Sequence, residues 1–171
     1  MLIRSISLAT ALFALTLGIG GCSKDGNDTT QLKIKLTDNP YDATEVNVDI
    51  RAVRVNFHDD DNGWVDINTV AGVYNLLDLQ NGIDTLLAQG TVPTGALKQV
   101  RFVLGDDNSI MIDSTLYPLT IPSGSESGLK INLNKQLNAQ LDSLIIDFDA
   151  ALSVVKQGNG EYKLKPVLKI K

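Results

Sequence analysis

Several residue types that build common kinds of site are scarce in this sequence. Its 171 residues include one cysteine, one histidine and one tryptophan. A single cysteine excludes an internal disulfide, so a folded domain must depend on its apolar core. A catalytic triad needs a base oriented by a third group, whereas His58 adjoins a run of acids, which is typical of a solvated loop histidine. The sequence therefore predicts no catalytic residue, no bound cofactor and no enzymatic activity.

Positive charge is also in short supply. Fifteen lysines and arginines face twenty aspartates and glutamates, which gives a formal net charge of −5. Proteins that bind nucleic acid rely on basic side chains to neutralise phosphates. This balance argues against a nucleic-acid partner.

The N-terminus has the pattern of a bacterial lipoprotein signal peptide. Arg4 supplies a positive charge, residues 5–21 contain no charged side chain, and small residues precede Cys22. The apolar stretch is shorter than the ~20 residues of a membrane-spanning helix and ends in glycines. We expect residues 1–21 to be removed and Cys22 to be acylated, because several acyl chains anchor a protein stably where one does not.

The chain after Cys22 divides into a tether and one domain. Residues 22–30 are polar and lack the apolar side chains that packing requires. Residues 31–171 are long enough to bury a single core. The prediction is a domain held by lipid at the outer membrane of a Gram-negative envelope, facing either the periplasm or the surface.

Apolar residues alternate with polar ones through most of the domain, which indicates strands with one buried face. The clearest runs are residues 32–36, 46–57, 100–104, 129–133, 144–148 and 162–170. The alternation changes phase near Arg51 and Ala52, where a β-bulge would restore one buried face. Residues 73–88 contain Gly82 and favour two short elements over one helix. The predicted fold is an all-β antiparallel sandwich, Ig-like or prealbumin-like, with at most one short helix.

An acidic turn forms the first candidate site. Asp59, Asp60 and Asp61 precede Asn62-Gly63, which is a strong hairpin signal. Clustered carboxylates suit calcium, but the EF-hand pattern fails because its glycine and glutamate positions hold Trp64 and Val70. No metal site is therefore predicted, although a different type of calcium loop is left open.

Aromatic residues could stack on sugar rings, but they make up only 5% of the chain and a core needs most of them. Trp64, beside the turn, is the one most expected to stay exposed. The candidate ligand-binding residues are thus Trp64, Asp59, Asp60, Asp61 and Arg101, and they form a useful site only if they converge on one surface.

A second acidic pair lies in a strand. Asp147 and Asp149 are two residues apart, so their side chains share a face with backbones about 6.6 Å apart. That spacing is near the carboxyl separation of inverting glycosidases. Any Asp-x-Asp strand produces it, so glycoside hydrolysis is only a minor alternative.

Several segments together resemble a known family. They are residues 36–40 (LTDNP), 46–50 (VNVDI), 63–65 (GWV), 73–79 (VYNLLDL), 93–95 (PTG), 99–101 (QVR), 127–130 (SGLK), 147–149 (DFD) and 164–167 (LKPV). This combination is similar to the domain of unknown function 4382 family of secreted bacterial lipoproteins. The resemblance implies a β-rich envelope domain and supplies no catalytic residue.

These observations favour a lipid-anchored β-sandwich that acts by binding, adhesion or an accessory surface role. Its expected partners are the membrane, through the lipid, and an envelope protein or glycan. Glycan binding through Trp64 and the acidic turn is the main alternative.

Overall fold

The computed structural model describes residues 29–39, 43–122, 128–138 and 141–171. The predicted signal peptide, Cys22 and residues 23–28 of the predicted tether lie outside these ranges. About 64% of the described residues lie in strands, which confirms the all-β prediction. One short α-helix, α1 (Ala150–Ser153), and one 3₁₀ turn (Leu76–Leu79) are the helical elements of this part of the chain.

Thirteen strands carry the fold. They are β1 (Thr29–Thr37), β2 (Glu45–Asn56), β3 (Val65–Thr69), β4 (Gly72–Asn75), β5 (Thr85–Pro93), β6 (Gly95–Leu104), β7 (Ser109–Ile112), β8 (Thr115–Thr120), β9 (Leu129–Leu137), β10 (Leu141–Phe148), β11 (Val154–Lys156), β12 (Tyr162–Leu164) and β13 (Leu168–Ile170). The first strand thus begins at Thr29, two residues before the domain start expected from composition.

The strands form one continuous, curled sheet. Its main path runs β11-β12-β8-β7-β2-β3-β5-β1-β10-β13 among the described strands. The long strand β2 also pairs with β4 and β6, and β9 pairs with β6. The sheet is mixed, because β1 runs parallel to β10 and β12 runs parallel to β8. The prediction of a purely antiparallel sheet is therefore wrong, since alternation is the same in parallel and antiparallel strands. Closure into a two-layer sandwich stays a prediction.

The core lies where the apolar positions of successive strands meet. In β2, both Ile50 and Val53 are fully buried although they are three residues apart. The pairing of β2 with β6 shifts register between Ile50 and Ala52, which confirms the predicted bulge. The largest fully buried side chains are Phe102, Phe148, Leu32, Ile34, Leu36, Ile50, Leu76, Leu87, Leu97, Ile110, Leu137 and Ile146.

Two turns can be compared with what their residues predict from the sequence. Asn81 and Gly82 both adopt positive φ, at 58° and 85°, and separate the 3₁₀ turn from β5. The Asn62-Gly63 signal correctly marks an antiparallel hairpin between β2 and β3. A tight two-residue turn does not form there, because β2 ends at Asn56 and residues 57–64 form a longer loop.

Candidate functional site

The β2–β3 loop is held in place by one buried amide. Asn56 has no exposed surface, and its Nδ2 donates to the backbone oxygen of Asp60 at 2.7 Å. Its Oδ1 accepts from the backbone N–H of His58 at 2.9 Å. Gly63 closes the loop at φ 79°, and a Cβ at Gly63 would lie 2.7 Å from His58 Nδ1. These contacts fix the path along which the acidic residues are presented.

Two of the three acids of the turn reach cations on neighbouring strands. Asp61 Oδ1 lies 2.9 Å from Lys130 Nζ and 3.2 Å from Arg101 Nη2. The ammonium of Lys130, and then the charge of Arg101, hold the pKa of Asp61 below its usual value. Asp59 lies 3.8 Å from Lys98 Nζ. Asp60 instead closes the turn, because its Oδ1 accepts from the backbone N–H of Asn62 at 3.0 Å.

Trp64 is half-buried rather than exposed, since Arg101 covers its ring. The guanidinium carbon of Arg101 lies 4.0 Å from the ring centroid, which is a cation–π contact. This stacking orients the guanidinium of Arg101 toward the carboxylate of Asp61. Of the candidate residues, Trp64, Arg101 and Asp61 are thus in contact with one another, and Trp64 supports the arginine. Asp59 instead lies beside Lys98, which belongs to the same strand as Arg101.

The sheet register places three cations side by side on this surface. Arg54 of β2 is the direct partner of Arg101 of β6, and Arg101 is the direct partner of Lys130 of β9. Like charges on directly opposed residues repel. The acids around them offset this repulsion, because Arg54 also pairs with Asp66 of β3 at 2.6 Å. We call this surface, formed by Arg54, Asp59, Asp61, Trp64, Asp66, Lys98, Arg101 and Lys130, the hairpin face.

The sequence pattern does not single out Arg54, Lys98 or Lys130 as candidate site residues. Strand pairing brings them to the loop, and pairing register cannot be read from one strand at a time. One feature of the sequence could have pointed to Lys130: like Arg101, it lies in a segment that carries the family resemblance.

Metal binding has little support at the hairpin face. Within the described ranges, no three His, Cys, Asp or Glu side chains are grouped closely enough to hold a metal ion. Asp61, the best-placed carboxylate of the turn, contacts Lys130 and Arg101.

Asp147 and Asp149 lie elsewhere, at the end of β10, in what we call the buried carboxylate cluster with Asp38. All three have 4% or less of their surface exposed. Asp149 Oδ2 pairs with Lys169 Nζ at 2.6 Å, and Asp147 Oδ2 lies 3.4 Å from Lys171 Nζ.

The cluster also organises the backbone around α1. Asp149 Oδ1 accepts from the backbone N–H of Leu152 at 3.0 Å and so caps this helix. Asp38 Oδ1 accepts from the backbone N–H of Ala150 at 2.9 Å. The geometry suits a structural role for Asp38 and Asp149, whose oxygens accept from backbone N–H groups. Asp147 faces Lys171 through Oδ2, while its buried Oδ1 has no hydrogen-bond partner among the described residues.

The pKa values of Asp38 and Asp149 shift in opposite directions, although burial opposes the ionisation of both. Burial raises the pKa of Asp38, because desolvation outweighs the hydrogen bonds from Ala150 and Gln80. Desolvation also opposes ionisation of Asp149, but Lys169 and the Leu152 N–H outweigh it and lower the pKa of Asp149.

The membrane-anchoring prediction rests on residues outside the described ranges, Cys22 above all. In the ranges that the structure describes, no helix has the length and apolar character needed to cross a bilayer.

The comparison with known families agrees with the residue pattern. Residues 29–166 match the family described as domain of unknown function (DUF4382). The chain belongs to this family. No curated protein and no solved structure matches the chain significantly. The DUF4382 match contains the hairpin face and the three aspartates of the buried carboxylate cluster, whereas Lys169 and Lys171 lie beyond it.

Proposed function

We propose that this DUF4382 protein is a lipid-anchored, non-enzymatic binding module of the bacterial cell envelope. Cys22 carries the lipid, residues 22–30 form the tether, and the hairpin face is the contact surface. The partner is an envelope macromolecule that bears carboxylate groups. The leader-like sequence before Cys22 supports the location, and the geometry of the hairpin face supports the binding role.

The observation that carries the proposal is the row formed by Arg54, Arg101 and Lys130. The outward positions of three adjacent strands place these charges within reach of a single ligand. Arginine and lysine recognise carboxylates through charge-assisted hydrogen bonds. The rest of the chain is acidic on balance, so an anionic partner is attracted to this face and repelled elsewhere.

In the free protein, Asp61 occupies the position that a ligand carboxylate would take. Its side chain is largely exposed and contacts both Lys130 and Arg101. A partner with several carboxylates can replace this contact because the exchange preserves the number of ion pairs.

The test uses full-length protein in detergent and two immobilised carboxylate polymers, polygalacturonate and polyglutamate. The double variant Arg101→Gln/Lys130→Gln should bind about tenfold more weakly than the wild type. Asp61→Asn should bind more tightly, because it frees both cations. A preference for one polymer distinguishes a glycan partner from a protein partner.

The matched control is Lys33→Gln/Lys163→Gln, which removes the same charge from other strands. The proposal is wrong if this control weakens binding as much as the hairpin-face double variant, if Asp61→Asn weakens it, or if the wild type binds neither polymer.

Glycan binding through Trp64 is the alternative. It requires the sugar to use the ring face opposite Arg101 or to displace the guanidinium, which lies 4.0 Å from the ring centroid. Glycoside hydrolysis by Asp147 and Asp149 requires both carboxylates to leave their lysine partners.

A further inference from the structure

A second surface, separate from the hairpin face, has the features of a small-ligand site. A cavity of about 280 Å³ opens between β8 and the turn that joins β11 to β12. Its walls are Tyr117, Pro118 and Thr120 of β8, and residues 159–162. We call it the aromatic cleft. Its volume is close to the lower end of the ~300–1,000 Å³ range of ligand pockets, which suits a molecule of one or two rings.

Two tyrosines form the apolar wall of the aromatic cleft. The ring centroids of Tyr117 and Tyr162 are 5.2 Å apart and their planes are inclined by 54°. Tyr162 is 8% exposed and forms the back wall, whereas Tyr117 is half-buried and offers more of its ring to solvent. An inclined pair of this kind presents ring surface and polar tips together.

The polar groups at the rim have unused hydrogen-bonding capacity. Within the described residues, neither phenolic hydroxyl of the pair nor the carboxylate of Glu161 contacts a hydrogen-bond or ion-pair partner. Asn159 accepts from the backbone N–H of Glu161 through Oδ1, at 3.1 Å, which leaves its Nδ2 free to donate. The rim thus combines donors and acceptors beside an apolar wall.

Charge decides which class of ligand fits. An ammonium ligand would seek the face of a tyrosine, but Lys156 Nζ already lies 5.7 Å from the centroid of the Tyr162 ring. Glu161 is the charged residue of the cleft lining, and Lys156, beside Tyr162 and outside that lining, carries the opposite charge. The two charges offset each other, so the surroundings of the cleft do not favour an ion of either sign. A neutral molecule with an apolar face and many hydroxyls is the best match.

We propose that the aromatic cleft binds a neutral saccharide. The C–H face of one pyranose ring packs on Tyr117, and its hydroxyls bond to the Glu161 carboxylate and the Asn159 amide. This site is independent of the hairpin face, which would bind carboxylates. The protein would then hold a carbohydrate and an acidic macromolecule on different surfaces.

The experiment measures saturation transfer by NMR from full-length protein to methyl glycosides of glucose, galactose, mannose and N-acetylglucosamine. The detergent must have no sugar headgroup, because a glycosidic detergent would compete for the cleft. We expect transfer to at least one glycoside, strongest at the ring C–H protons. Tyr117→Ala should weaken binding about tenfold, which corresponds to the energy of one aromatic contact. Glu161→Gln should weaken it by a smaller factor.

Two controls match these variants. Leu116→Ala changes an exposed neighbour on β8, and Glu45→Gln removes a carboxylate from β2; neither should alter binding. Should Tyr117→Ala fail to fold, the exposed position of Glu161 makes Glu161→Gln the deciding variant. Absence of transfer to all four glycosides, or equal transfer to the wild type and to Glu161→Gln, would overturn the proposal. Binding of tetramethylammonium in place of the glycosides would do the same.

Discussion

The hairpin face and the buried carboxylate cluster both contain aspartate–lysine contacts, but these contacts lie in opposite surroundings. Asp61 exposes 68% of its side chain, whereas Asp149 exposes 6% of its own. Exposed ion pairs contribute little to stability because water screens them, while buried carboxylates are costly unless every oxygen is satisfied. The same pair of residue types can therefore hold a fold together or stay available to a partner, depending on what surrounds it.

Asp149→Ala tests the structural half of this comparison. It removes the cap of α1 and leaves the N–H of Leu152 and the ammonium of Lys169 without their acceptor. The free energy of unfolding should fall by about 2–3 kcal/mol, measured by urea denaturation. Asp149→Asn keeps the capping oxygen and should lose less. Equal stability of the alanine variant and the wild type would contradict a structural role.

Gly63→Ala tests whether the backbone of the loop positions the hairpin face. The residue would have to adopt φ 79°, with its Cβ 2.7 Å from His58 Nδ1. We expect a loss of about 1–2 kcal/mol in the free energy of unfolding. Gly72→Ala is the matched control, because no atom lies within 4 Å of its added Cβ. A loss as large at Gly72 would show that the effect is not specific to the loop.

Asp38→Asn tests whether a buried carboxylate with a raised pKa destabilises the fold when it is charged. Burial raises the pKa of Asp38, so its charged form opposes folding. Stability from this group is present below the unfolded pKa of about 3.9 and is lost as pH rises through the folded pKa. The asparagine variant should therefore be more stable than the wild type at pH 7, by less than about 1 kcal/mol, and equal to it at pH 3.

Denaturation of both proteins across this pH range measures the difference. Asp38→Ala, which removes the acceptor of the buried Ala150 N–H, should instead be less stable at both pH values. A stability gain for Asp38→Asn that grows as pH falls would contradict the sign derived from burial.

The sequence predicted the parts of this molecule that depend on local pattern. Alternation located the strands, and the phase change near Arg51 located the bulge, because a buried face must stay continuous through it. The parallel pairing of β1 with β10 was missed, since an alternating strand gives the same pattern in either direction.

In the candidate site, too, the residues that are close in sequence could be predicted, and those brought together by strand pairing could not. Trp64, Asp59 and Asp61 lie in one loop and could be grouped from the sequence. Lys130 comes to that loop from a strand more than sixty residues away, through register alone. Likewise, nothing local indicates that Asp149 is buried beside Lys169.

Lys130→Gln gives the smallest expected effect and the most direct measure of the hairpin face. Lys130 is the main cause of the lowered pKa of Asp61, and Arg101 adds to it. In the wild type, the contact is present above the unfolded pKa and is lost as pH falls through the lowered, folded pKa. In the variant, the pKa of Asp61 should rise toward its usual value of about 3.9, measured from its carboxyl carbon by NMR. Lys135 lies on the same strand as Lys130, and its amine pairs with Asp142 of β10, so Lys135→Gln should leave the pKa of Asp61 unchanged. An unchanged pKa in Lys130→Gln would mean that Asp61 is not held by the cation row, and the surface proposed for binding would lose its internal counter-charge.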